Sequence, residues 1–118
     1  AFYQWLQQLQ MENNVTLFTA SDFGRTLQPS GMGSDHGWGN HHLIVGGAVQ
    51  GGSVYGSFPS MALGGPDDSG GRGAMIPSTS LAQYGATLAT WLGVGPAELG
   101  TVFPNIGNFA APTLGFMG

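Results

Sequence analysis

The sequence predicts an α/β protein, and three observations carry that expectation. VTLFTA at 15–20 and HLIVG at 42–46 are short, apolar, β-branched runs of the kind that form strands buried in a parallel sheet. Residues 2–12 and 78–93 carry apolar side chains at helical spacing. These segments follow one another as helix, strand, loop, strand, hairpin and helix, without an internal repeat, which is the order of a sheet flanked by helices.

In chain order, Phe2, Trp5, Leu6 and Leu9 give the first helix one apolar face, with glutamines mostly outside it. The helix is expected to run to about Glu12 and to break at Asn13-Asn14. The first strand then ends at Ser21-Asp22. Residues 21–41 mix Gly, Ser, Asn, Asp and His with no sustained period and read as a long loop, a length that in compact domains is usually functional or disordered. After the second strand, Gly46-Gly47 and Gly51-Gly52 bracket AVQ, which suggests a hairpin excursion at a sheet edge. GGPDDSGGRG at 64–73 reads as an exposed, flexible loop. The second long helix has Ser78, Thr79 or Ser80 as its N-cap, Leu81, Tyr84, Leu88, Trp91 and Leu92 as its buried stripe, and Gly93 as its stop. A short helical turn is expected at PAELG. Two strands and two helices cover each other only in part, so the apolar strand edges call for another segment or subunit.

Composition narrows the function. There is no lysine, arginine occurs only at Arg25 and Arg72, and the formal net charge is −4, so nothing is present to neutralise a nucleic-acid backbone. Only 7% of residues are charged, which points to a surface partly covered by a partner. The absence of cysteine excludes disulfides and thiolate metal sites. No apolar run approaches the ~20 residues of a membrane span.

The chemistry-bearing residues concentrate between 22 and 42. Asp22 follows a strand, where ligand sites lie in open α/β sheets; the alternative is a loop carboxylate capping a turn. Asp35, His36, His41 and His42 bring three imidazoles and a carboxylate close together, a donor set suited to zinc, manganese or iron. His42 begins an apolar strand and His41 faces the other way, so each has a structural reading beside the ligand one. Arg25 offers a planar guanidinium to a tetrahedral oxyanion, or pairs internally with Asp22 or Asp35. Ser34-Asp35-His36 is adjacency and not a triad, and no nucleophile elbow or phosphate loop is present.

VTLFTASDFGRT, GSDHGWGNHH, LIVGGAVQGG and VYG, followed by IPSTSLAQYGATLATWLGV, VFPNIGNF and LGFMG, closely resemble the proteins of domain of unknown function 1501, placed in the sulfatase-like, alkaline-phosphatase superfamily. The resemblance implies a partial alkaline-phosphatase-like parallel sheet flanked by helices, with a β-hairpin excursion and long Gly-rich loops. It implies that 1–118 form a single C-terminal portion of such a domain, the N-terminal half with its nucleophile being absent. It implies a metal-dependent hydrolase of phosphate or sulfate esters, with weak esterase activity or none when alone, a divalent metal (zinc or manganese) and a small anionic ester substrate. Asp22 and His36 match the superfamily's first metal carboxylate and its later metal histidine; from the residues themselves His41 is a further candidate metal ligand, and Arg25, Asp35 and His36 are the candidate catalytic residues. Phe23 stands where the superfamily has a neighbouring ligand. An exported, periplasmic location follows from the same resemblance. The rival expectation is a non-catalytic binding or assembly protein, or a homo-oligomer.

Overall fold

The computed structural model describes residues 1–118. Its elements, in order, are α1 (Phe2–Gln8), β1 (Thr16–Phe18), β2 (Gly24–Ser30), β3 (Gly33–Gly37), β4 (Ile44–Gly46), α2 (Leu81–Trp91), α3 (Pro96–Val102) and a 3-10 turn, Ile106–Asn108. The chain is mixed α/β and divides into two compact units. The first comprises Ala1–Phe18, Ile44–Gly56 and Thr79–Gly118; the second comprises Thr19–Leu43 and Ser57–Ser78.

In the first unit, β1 and β4 occupy the two apolar runs, but each is only three residues long and they pair antiparallel, Leu17 opposite Val45. The expected parallel pairing is therefore corrected. Parallel neighbours need a crossover that returns the chain to the starting end of the sheet. Here Phe18 is the partner of Ile44, so the chain leaves and re-enters the ribbon at the same end.

The helix α2 begins on a capping box: the Ser80 hydroxyl accepts from the Gln83 backbone N–H at 3.0 Å, and the Gln83 side chain accepts from the Ser80 backbone N–H at 3.1 Å. It ends in a Schellman motif. Val94 N–H reaches the Ala89 carbonyl, Gly93 N–H reaches that of Thr90, and Gly93 holds a φ of 102°.

Of the expected buried stripe, Tyr84 and Leu88 are buried, whereas Leu81 and Leu92 are 60% and 75% exposed. Two packed clusters explain the shift. Tyr84 and Leu88 meet Phe116, while Ala86 meets Leu99 and Ile106, so α2 is covered along a broader, rotated face that draws in Ala86 and Thr87. Thr87 is satisfied there, its hydroxyl donating to the Gln83 carbonyl and accepting from Leu114 N–H. The C-terminal segment closes this unit: Phe116 is 1% exposed, and Met117 bridges to Val49.

No strand pair forms around 46–56, where a hairpin was expected. The hairpin lies instead in the second unit, within the 21–41 stretch read as a loop. Its strands β2 and β3 are joined by Gly31-Met32; Gly31 has φ 59° and Met32 a negative φ, the type II′ pattern that matches strand twist. Glycine-rich strands hide the alternation by which strands are recognised, which is why the sequence does not announce it.

Between the pairs Arg25–His36 and Pro29–Ser34, residues 26–28 bulge against Asp35 alone. The bulge is bonded elsewhere. Leu27 and Gln28 donate their N–H groups to the carbonyls of Gly73 and Arg72, and the Thr26 hydroxyl accepts from Asp35 N–H. Gly73, at φ 85°, permits this approach, since a Cβ there would collide with Leu27.

Residues 64–73 form the expected exposed loop, closed on itself by hydrogen bonds. The Asp68 carboxylate accepts backbone N–H groups from Gly64, Gly70, Gly73 and Ala74, at 2.8 to 3.1 Å. Met75 is the sole buried apolar side chain in this unit.

Candidate functional site

Six of the eight charged side chains, Asp22, Arg25, Asp35, Asp67, Asp68 and Arg72, belong to the second unit, as do all three histidines. The candidate chemistry thus sits on the hydrogen-bonded unit, and its geometry follows from the hairpin.

Cross-strand register places Arg25 opposite His36. Side chains directly opposite in an antiparallel pair share a face. Arg25 Nη1 donates to the Ser34 carbonyl at 2.8 Å, and the guanidinium carbon lies 5.3 Å from the centre of the Phe23 ring. Phe23 in turn stacks on the His36 imidazole, with centroids 3.9 Å apart and an interplanar angle of 24°. Arg25, Phe23 and His36 form one exposed cluster.

Asp35 alternates to the other side of β3 and pairs with Arg72, Nη1 to Oδ2 2.6 Å. The expected internal partner, Arg25, is directed to Ser34 instead. Hydrogen bonds from the Ser30 hydroxyl and then the Arg72 guanidinium hold the Asp35 carboxyl below its ordinary value. Arg72 escapes a sequence reading because it lies far along the chain, in a glycine-rich loop; the Asp68 turn and the bulge deliver it.

The remaining candidates lie apart from this cluster or at its margin. Asp22 is exposed in the bend before β2, beyond the end of β1 and not at the edge of a parallel sheet. His41 stacks on Phe58, centroids 4.7 Å apart. His42 Nδ1 lies 3.3 Å from the Thr19 hydroxyl, which itself accepts from Leu43 N–H. No three His, Asp or Glu side chains of the chain come together as a set able to hold a metal ion. Asp22, His36 and His41 do not by themselves build a metal centre, and Asp35 is already engaged by Arg72.

The sequence model of the family described as Protein of unknown function (DUF1501) matches residues 1–69. The chain belongs to the DUF1501 family. The match takes in α1, both strand pairs, and each of Asp22, Arg25, Asp35, His36 and His41; Arg72, α2 and α3 lie beyond it. No curated protein and no solved structure matches this DUF1501 chain. No helix in it is long and apolar enough to cross a membrane.

Proposed function

We propose that this chain belongs to an alkaline-phosphatase-like, metal-dependent hydrolase of phosphate or sulfate esters. The observation that carries the reading is the Arg25–His36 pair, held on one face of a hairpin that begins just after Asp22. A guanidinium and an imidazole on one face suit a small tetrahedral oxyanion, the group common to both ester classes.

Asp22 and His36 are the residues this chain offers to a zinc or manganese ion. When bound, such an ion would polarise the ester oxygen. The chain's own contribution is to orient the anion through Arg25 and to keep Asp35, tied to Arg72, from competing with it. An exported location belongs to the same proposal.

Elemental analysis of untagged protein tests it, beside hydrolysis of aryl phosphate and aryl sulfate esters. Near-stoichiometric metal, lost in Asp22→Ala and His36→Ala, supports the hydrolase. Metal-free, folded wild-type protein without esterase activity overturns it for this chain and leaves a second reading, a non-catalytic binding or assembly protein. Phe23 favours that second reading, because its ring covers a face of the imidazole where the resemblance expects another ligand.

A further inference from the structure

We propose that Arg25 and His36 form a metal-free clamp for a single sulfate or phosphate dianion, with Phe23 as the positioning residue that holds the two groups in register. The proposal deepens the ester-hydrolase reading and rests on it for the class of anion, but the clamp itself needs no ion.

Three features of the hairpin converge on it. First, the cross-strand register fixes the backbones of Arg25 and His36 opposite each other, so both side chains rise from the same patch. Second, one guanidinium nitrogen is anchored on the Ser34 carbonyl, which sets the plane of the fork and leaves N–H donors over. No protein hydrogen bond takes up either ring nitrogen of His36, whose only ring contact is the Phe23 face.

Third, Phe23 touches both groups: it is stacked on the imidazole and lies under the guanidinium. An aromatic face is attractive to a guanidinium and costs little conformational freedom to hold in place. The ring therefore limits the rotamers of two long or swivelling donors that would otherwise have to be ordered by the ligand. That is a function for the residue that stands where a metal ligand was expected.

Charge on the far side of the strand supports the same site. Asp35, the carboxylate next to His36, would oppose an incoming anion, but alternation turns it to the opposite face and Arg72 neutralises it at 2.6 Å. The countervailing group is Asp22, one residue before Phe23 and exposed. The clamp is open to water, so its affinity is expected in the millimolar range, where salt screening matters.

The test is a titration of the full chain with sodium sulfate, and separately with inorganic phosphate, at constant ionic strength in chloride and with EDTA present. It follows the Arg25 Nε–H, the His36 imidazole and the Phe23 ring by NMR. Saturable shifts at all three groups are expected. Arg25→Gln and His36→Gln should each weaken binding by about three- to tenfold. Phe23→Leu should weaken it too although both donors remain, and Phe23→Tyr should restore it; unchanged hairpin amide shifts show that the strands are intact.

Shifts that rise linearly and match those of chloride would overturn the clamp, as would saturation centred on Arg72. Phe23→Leu binding as tightly as wild type would remove Phe23 from it. Because EDTA is present throughout, a chain that carries no metal still reports on the clamp, and a chain that binds metal but no sulfate refutes the clamp alone.

Discussion

Backbone conformation at single residues decides much of this chain's local order. Gln10 is the sole non-glycine residue with a positive φ, 55°, and it sits where α1 ends. Gln10 N–H reaches the Gln7 carbonyl and Met11 N–H reaches that of Leu6, the same closing pair that Gly93 and Val94 make at the end of α2. An L-residue in this region carries a steric cost of about 1–2 kcal/mol, partly offset on replacement by the greater freedom of unfolded glycine. Gln10→Gly is accordingly expected to stabilise the chain by about 0.5–1 kcal/mol, read as a higher denaturant midpoint with unchanged slope. A lower midpoint would mean that the glutamine side chain contributes more than its backbone costs.

At the scale of elements, the C-terminal segment is a structural part of the first unit. Phe116 lies between Tyr55 and Tyr84, ring centroids 5.7 Å from each, and seals the cluster that holds α2. Phe116→Ala should cost about 3–5 kcal/mol, the range for a buried phenylalanine whose site collapses only in part. Thermal unfolding checks it; a loss below about 1 kcal/mol would show that the segment is docked loosely.

Which elements were legible in the sequence follows from the same physics. The helices α1 and α2, the cap at Ser80 and the stop at Gly93 were legible because helical period and cap chemistry are local. The positions of β1 and β4 were also legible, but not their direction, because apolar runs look alike in parallel and antiparallel pairs. The hairpin was not, since Gly24, Pro29, Gly31, Gly33 and Gly37 interrupt its alternation. Within the candidate site, Arg25 and His36 could be named but not paired, and Asp35's partner lay at Arg72, joined to it through Asp68 and the bulge at 26–28.

Across the whole molecule, the two units are built from different interactions, and acid should separate them. The first unit contains only Glu12 and Glu98 as charged side chains and holds both apolar clusters. The second adds carboxylate hydrogen bonds, through Asp35, Asp67 and Asp68, to its backbone ladder. Its Asp68 carboxyl is lowered from 3.8 to about 2, chiefly by the hydrogen bond from Gly64 and further by those from Gly73, Gly70 and Ala74, and Asp35 is lowered as well. Because these folded-state values are depressed, the unfolded chain takes up protons first as pH falls. The stability they contribute is fully present above the ordinary carboxylate value and is lost as pH falls through about 2. Apolar packing in the first unit does not titrate. The tryptophans report on the two parts separately, Trp38 in the second unit and Trp5 and Trp91 in the first. Lowering the pH from about 4 to about 2 should broaden or shift the Trp38 indole N–H resonance while those of Trp5 and Trp91 persist. Asp68→Asn should abolish most of that pH dependence by leaving the second unit loosened at neutral pH. Simultaneous loss of all three indole signals would show instead that the units unfold as one, with the Asp68 turn holding up the apolar core as well as the hairpin.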